Sequence, residues 1–316
     1  MVNQGRIPVI CIVGPTASGK SALAQKVALE IGGEVVSADS MQIYRGMDIG
    51  TGKVPESRRI VKHYGLDLVD PGEPYSAALF QRYARERFAA IGDAGKVPIL
   101  CGGTGFYVRA AMDDYDFPEG EQQGNPIRER YNDLARELGA HEVWLMLDRV
   151  DPRSANVIPE NDVKRVVRAL ELHEQGQCYA DLKEALASIP QYWPGVFVGL
   201  SVEPSILRAR IRDRVDEMVD EGLVDEVKGL LNLGFRDGLT APQAIGYKEI
   251  VAALDGECTL EDAVESIKVA TSRYAKRQRT WFRKDARIHW IDANDNDLEW
   301  MTGETLEIVR ENLAHR

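Results

Sequence analysis

The stretch RIPVICIVGPTASGKSALAQKVALEIGG, residues 6–33, decides the fold. Its middle, Gly14-Pro15-Thr16-Ala17-Ser18-Gly19-Lys20-Ser21, satisfies G-x-x-x-x-G-K-[ST] in full. That pattern carries chemistry only in context, with a strand before it and a helix after it. RIPVICIVG (6–14) is a short apolar run rich in Ile and Val that ends on glycine, which predicts a buried strand. From Ser18 to Gly33 the spacing is helical, with Leu23, Val27 and Ile31 on one stripe and a glycine stop. The glycines between let backbone amides approach phosphate oxygens, and the helix N-terminus adds partial positive charge. Lys20 supplies a point charge, and the Ser21 hydroxyl suits Mg²⁺. Phosphate binding follows; whose phosphate, and its fate, does not.

The same alternation continues outward. GEVVSAD (33–39) predicts a second strand, FQRYARERFAAIGDAGK (80–96) a helix, and VPILCGG (97–103) a third buried strand leading into a helix at TGFYVRAAM. Apolar strands alternating with helices imply an α/β fold, a parallel sheet with helices on both faces. Ligands in such sheets bind at the carboxyl ends of strands, so residues 14–21, 39 and 102–105 are expected to converge. Near residue 113 the register changes. DDYDFPEGEQQGNP (113–126) is acidic and loop-like, and from Ile127 to about Leu186 helical patterns replace strands. This predicts a helical insertion domain. GVFVGLSV (195–202) restores a strand, ILRARIRDRVDEMVDEG begins an amphipathic helix, and RIHWID (287–292) reads as a last strand. The expected organisation is a core in two parts, 1–112 and 193–316, with the insertion at 113–192.

The 316 residues and 44% hydrophobic content suffice for a sizeable core. No apolar run approaches the ~20 residues needed to cross a bilayer. The start of the chain leads straight into the glycine-rich loop, as a core strand does and a signal peptide does not. Cys11, Cys101, Cys178 and Cys258 are spread singly, with no pair at zinc spacing, which suits a reduced cytoplasm. The net charge of −11 argues mildly against a nucleic-acid partner, yet KVATSRYAKRQRTWFRKDAR (268–287) holds eight Lys or Arg against Asp285 alone. Tyr274, Trp281 and Phe282 are interleaved there, as suits backbone contact plus stacking; a solvated helix face is the plainer alternative.

Three further groups are open to more than one reading. Asp39, at a strand's end facing the phosphate loop, suits a Mg²⁺ ligand, a proton acceptor, or a cap on the next turn. Gly102, Gly103 and Thr104 allow close backbone approach and a bond to a ligand, or simply a tight turn. In LRARIRDRV (207–215), Arg210 and Arg214 share a helix face and suit a diphosphate clamp or a charged solvent face.

GPTASGKS (14–21), SADSMQIYRGMDIGTGK (37–53), CGGTGFY (101–107), NDVKRVVRALE (161–171), GLVDEV (222–227), AIGYKE (244–249) and KRQRTWFR (276–283) occur in that order. Together, from about Val9 to Arg283, the chain resembles the bacterial tRNA dimethylallyltransferases, also called tRNA isopentenyltransferases. The resemblance implies transfer of a dimethylallyl group from dimethylallyl diphosphate, with Mg²⁺, to the exocyclic amine of the adenosine 3′ of the anticodon in tRNA. It implies a P-loop NTPase-like core, an insertion that grips the anticodon stem-loop, and a cytoplasmic, monomeric enzyme. By position, Asp39 matches the general base, Gly14 to Ser21 the diphosphate-holding segment with Lys20 as its cation, and Thr104 a residue near the reacting adenosine. Asp39, Ser40, Met41 and Gln42 match a tRNA-contacting strip, Arg128 an insertion contact, and Asn161, Asp162, Val163, Lys164 and Arg165 a second strip. Gln243, Ala244, Ile245, Gly246, Tyr247 and Lys248 match a third. Lys276, Arg277, Gln278, Arg279, Thr280, Trp281, Phe282 and Arg283 match a fourth. Either Arg210 or Arg214 matches a diphosphate ligand. The family's usual Leu-Pro reads Phe117–Pro118 here, which leaves the linker's course open. The zinc finger of some eukaryotic relatives has no counterpart.

Rival readings are an adenylate isopentenyltransferase, which needs neither insertion nor basic strip, a small-molecule P-loop kinase, and a nucleotide- and RNA-binding regulator without chemistry.

Overall fold

A computed structural model describes residues 6–117, 125–187 and 189–314. Pro118, Glu119 and Glu121 of the acidic linker lie outside the described residues. In chain order the elements are β1 (Val9–Val13), α1 (Lys20–Ile31), β2 (Gly33–Ser37), β3 (His63–Tyr64), α2 (Ala77–Asp93), β4 (Val97–Gly102) and α3 (Gly105–Met112). Then come α4 (Pro126–Leu138), α5 (Ala140–Val150), α6 (Pro152–Val157), α7 (Val163–Glu174) and α8 (Tyr179–Ala187). The chain closes with β5 (Gly195–Ser201), α9 (Pro204–Asp220), α10 (Leu223–Leu231), α11 (Tyr247–Leu254), α12 (Leu260–Phe282), β6 (Ile288–Asp292) and α13 (Leu298–Ala314). Two compact units result, residues 1–113 with 191–316, and residues 114–190.

The first unit is built on a six-stranded sheet of order β3-β2-β4-β1-β5-β6, every pairing parallel. The strands before the insertion lie on one side of β1, and β5 and β6 on the other, so the strand order reverses at β1. Its five residues are all buried. Ile10 and Ile12 enter one apolar core with Leu23 and Val27 of α1 and with α9 to α12; Val9, Cys11 and Val13 enter the other with Phe80, Ala84 and Phe88 of α2. The period of two along a strand thus feeds both faces of the sheet, which is why the run is apolar throughout rather than alternating. α1 ends where Gly32, at φ 67°, returns its N–H to Ala28 O.

Among the elements of this unit that the sequence patterns do not mark are β3, α10, α11 and α13. β3 is a two-residue ladder in a polar segment, with no pattern to detect. α13 buries Met301, Thr302, Thr305 and Val309. Its buried face carries threonines that return their hydroxyls to the helix, Thr305 to Met301 O at 2.7 Å, which blunts the apolar periodicity. Asp113, grouped with the acidic linker by composition, is instead buried and paired with Arg109 (2.8 Å) and Arg287 (2.5 Å).

The second unit is helical among its described residues. Val143, Leu147, Ala155, Ile158, Val166, Ala169 and Leu170 form its core. Glu171, 1% exposed, sits inside a ring of donors, Asn125, Arg128 and Arg168. Among the described residues no helix is long and apolar enough to cross a membrane.

Candidate active site

β1 delivers the chain into a loop whose turn is set by Ala17 at φ 61° and Gly19 at φ 88°. The left-handed region costs a residue with a Cβ about 1–2 kcal/mol, so Ala17 is held there by its surroundings. The Ser18 hydroxyl is buried without a hydrogen-bond partner. Lys20 folds back and donates to Pro15 O at 3.1 Å. Its ammonium is open to a crevice but otherwise enclosed, and this desolvation pulls its pKa below 10.5, with Cys101 and Asp39 opposing the shift. Arg214 of α9, on the opposite wall, is lowered for the same reason and likewise drawn back by Asp39.

Asp39 follows the end of β2. Its Oδ1 accepts from Met41 N at 2.9 Å, so the capping reading holds, and the same carboxylate lines the crevice beside Thr16 and Lys20. Thr104 Oγ1 accepts from Ser40 N at 3.1 Å and donates to Ser40 Oγ at 3.4 Å, so Thr104 buttresses the strip that carries Asp39. Gly102, at the end of β4, and the glycines that follow let other parts of the protein approach closely. A Cβ on Gly102 would lie 2.2 Å from Ala38 O, one on Gly103 2.2 Å from Gln278 Nε2, and one on Gly105 2.1 Å from the Trp281 ring.

The far wall comes from α9, α12 and residues 243–248. It completes a crevice of about 470 Å³ whose lining mixes the cations with Ile211, Val215, Met218, Ile245 and Ile267. A narrow extension of about 50 Å³ runs under the phosphate loop past Ser21, Gln42, His63 and Cys101. Burial pushes the Cys101 thiol up to about 11, which leaves it protonated and inert near neutrality. Tyr274 joins the crevice with its hydroxyl in bonding reach of Thr104 and Gln278, and its pKa rises to about 12, chiefly through burial.

The structure gathers Thr16, Lys20, Ser21, Asp39, Ser40, Met41, Gln42, Arg214, Gln243 to Lys248, Arg277 and Gln278 around this crevice and its extension. The contacts of the individual candidates sort them further. Arg210 spends its guanidinium on the carbonyls of Ala293 and Asn294, while Arg214, one turn on, faces the crevice. Phe282 is a core residue, 3% exposed. Gln278, 4% exposed, is no surface contact but a cross-link: Thr16 N donates to its Oε1 at 2.9 Å, and its Nε2 donates to Gly103 O at 3.0 Å. Tyr247 is fully buried, its hydroxyl donating to Glu226 at 2.5 Å. Glu226 also accepts from the backbone N–H of Asp48, Ile49 and Gly50, so Glu226, with Tyr247 bonded to it, braces the loop 48–50. The basic strip divides: Arg277 lines the crevice, whereas Lys276 and Arg279 line a second groove between α9 and α12, of about 570 Å³. Thr280 returns its hydroxyl to Lys276 O, and Trp281 and Arg283 are exposed. In the second unit, Asn161 to Arg165 form the start of α7, with Asp162 capping it, and Arg128 is paired with Glu171 at 2.8 Å. The apolar wall at Ile211, Val215 and Met218 was missed, although its spacing on α9 beside the arginines is a helical stripe legible in the sequence.

Among the described residues no cluster of three or more His, Cys, Asp or Glu could hold a metal. Mg²⁺ does not need one, since it is usually held by one or two protein oxygens plus substrate phosphates. The Ser21 hydroxyl and the Asp39 carboxylate line the same narrow extension, and the unpartnered Ser18 hydroxyl lies in the same loop, so the donor set fits such an ion.

Residues 42–285 match the family model described as IPP transferase, and residues 7–62 match that of isopentenyl transferase. A tRNA dimethylallyltransferase from Carboxydothermus hydrogenoformans is 47% identical over 298 residues, 93% of this chain and 94% of the relative. One from Kocuria rhizophila is 42% identical, covering 96% of each. The crystal structure of a full-length tRNA isopentenylpyrophosphate transferase from Bacillus halodurans is 36% identical with a TM-score of 0.71, covering 98% of this chain and all of that one. A eukaryotic dimethylallyltransferase acting on tRNA is 27% identical with a TM-score of 0.79, covering 98% of this chain and 80% of that one. The matches run across the phosphate loop, the Asp39 strip, the insertion and α12 alike, and the chain belongs to the tRNA dimethylallyltransferase family.

Proposed function

We propose that this protein transfers the dimethylallyl group of dimethylallyl diphosphate to the N6 amine of the adenosine 3′-adjacent to the anticodon in tRNA, releasing diphosphate. The observation that carries this reading is the crevice itself. Two enclosed cations, Lys20 and Arg214, face one carboxylate, Asp39, with an apolar wall beside them. Enclosed cations without counter-charge are costly, so the site favours a polyanion; the wall at Ile211, Val215 and Met218 suits a five-carbon tail.

The adenine amine is a weak nucleophile because its lone pair is delocalised into the ring. Asp39 orients that amine and takes its proton as the new carbon–nitrogen bond forms and the allylic carbon–oxygen bond breaks. Charge then grows on the leaving diphosphate, where the loop amides, Lys20 and Arg214 stabilise it most in the transition state. Ser21 and the phosphate oxygens would hold Mg²⁺, which would supply further charge neutralisation there. The adenosine must leave its stack to enter the crevice. The start of α7, Asn161 to Arg165, and the basic groove of α12 serve as contacts to the anticodon stem-loop, and a monomer acting in the cytoplasm is the simplest setting.

The test is one assay with Mg²⁺, dimethylallyl diphosphate, and unmodified tRNA competing against free AMP. One five-carbon group on tRNA per diphosphate released is expected, with AMP unmodified. Prenylated AMP would favour the adenylate enzyme, and ATP-dependent phosphate transfer without prenylated nucleoside would overturn the reading.

The split of the basic strip gives a second expectation. Arg279→Ala weakens tRNA binding and lowers the slope of log affinity against log salt by about one. Arg277→Ala, inside the crevice, lowers kcat as well. Filter-binding at several salt concentrations, with steady-state kinetics, checks both; identical salt slopes for wild type and Arg279→Ala would make the groove a solvated surface.

A further inference from the structure

We infer that Gln278 is a positioning residue that sets the register between the donor's phosphate loop and the acceptor side of the crevice. This rests on the donor reading above, and four observations point to it. Gln278 is 4% exposed, so its amide cannot turn to water. Its carbonyl oxygen accepts from Thr16 N (2.9 Å) inside the phosphate loop, and its nitrogen donates to Gly103 O (3.0 Å) in the turn after β4. That turn places Thr104, which bonds Ser40 N next to Asp39. Gly103 leaves room for this contact: a Cβ there would lie 2.2 Å from Gln278 Nε2.

One amide therefore spans the two strand ends that hold the reaction's two partners. β1 carries the loop and β4 carries the turn, neighbours in the sheet paired as far as Val13 and Gly102. The span needs an acceptor at one end and a donor at the other, in fixed geometry. Among side chains of this length an amide provides both; a carboxylate accepts only, and a thioether of the same volume does little of either. The bond also occupies one loop N–H, so Thr16 N is spent on alignment rather than on phosphate. The backbone bearing Gln278 is α12, which presents Tyr274 and Arg277 to the crevice and Lys276 and Arg279 to the outer groove. RNA that settles on α12 thus rests on the same helix that fixes the donor loop.

Loss of the link should leave each partner bound but out of register. The experiment compares wild type, Gln278→Met and Gln278→Glu with dimethylallyl diphosphate and tRNA, reading kcat, both KM values, donor Kd without tRNA, and melting temperature. For Gln278→Met, kcat is expected to fall about tenfold to a hundredfold, since small misplacements of reacting groups cost rates of that order. Both KM values stay within about threefold, because binding to each half is retained. Gln278→Glu keeps the acceptor toward Thr16 but sets a carboxylate against Gly103 O, so its kcat falls too, with a weaker donor Kd from the added negative charge. If Gln278→Met does not fold, Gln278→Glu decides the question. Unchanged kcat in a folded variant, or a loss of activity that tracks only the folded fraction, overturns the proposal. Failure of wild type itself to prenylate tRNA in the same assay would instead overturn the donor reading.

Discussion

Asp39→Asn is expected to lower kcat by about 10²–10⁴-fold, the usual contribution of a positioned general base, while tRNA and donor still bind. Asparagine is the informative substitution because Asp39 has two duties. Its Oδ1 accepts from Met41 N at 2.9 Å, and an amide oxygen can keep that bond. What the amide cannot do is take the amine's proton. Alanine would remove both functions and add the cost of a lost hydrogen bond, about 1 kcal/mol. Single-turnover kinetics with prebound tRNA isolates the chemical step from binding and release. A folded Asp39→Asn enzyme that keeps its wild-type rate would reduce Asp39 to the cap on its own turn, and the proton acceptor would have to be sought elsewhere among the crevice residues.

That double duty shows why part of the site was legible in the sequence and part was not. The phosphate loop is local: its pattern, the strand before it and the helix after it lie within residues 6–33, and each obeys a short-range rule. Asp39 could be placed at a strand end for the same reason. Whether it capped or reacted was undecidable, because both readings rest on the same carboxylate at the same place. Gly102, Gly103 and Gly105 permit close approach, and what approaches them is Ala38, just past β2, with Gln278 and Trp281 of α12. Sequence periodicity carries no information about a partner 175 positions away. Gln278 illustrates the limit most sharply. Amid Lys276, Arg277 and Arg279 it looks like one more polar residue on an RNA-facing surface, yet the helix turns it inward. A motif that identifies a family does not distinguish residues that touch substrate from those that brace the residues that do. Glu226 braces in this way, and Tyr247 both lines the crevice and bonds Glu226. The choice between Arg210 and Arg214 was equally nonlocal, since it turns on the carbonyls of Ala293 and Asn294, which hold Arg210.

Gly52→Ala should act on the same chemistry from a residue that need not touch substrate. Gly52 sits at φ +62°, and a Cβ built there would lie 1.6 Å from Arg214 Nη2. The overlap is relieved when the flexible guanidinium moves, so it must shift from its place in the crevice wall. Removing one preorganised donor to a developing anion lowers kcat by about 10²–10³-fold, and Gly52→Ala is expected to show a loss of that size with a raised KM for the allyl diphosphate. The left-handed backbone adds a stability cost of about 1–2 kcal/mol, which alone would mimic a weaker version of the defect. Two controls separate the causes. Gly46→Ala imposes similar strain, at φ +73°, but its Cβ meets only Leu230 Cδ2 at 3.4 Å. It should lower the melting temperature and leave kcat nearly intact. Arg214→Ala removes the guanidinium without the strain and should reproduce the kinetic loss at nearly wild-type stability. If Gly52→Ala and Gly46→Ala prove equally active once folded, Arg214 contributes little to the leaving group, and the charge on the diphosphate must be met by Lys20 and the loop amides alone.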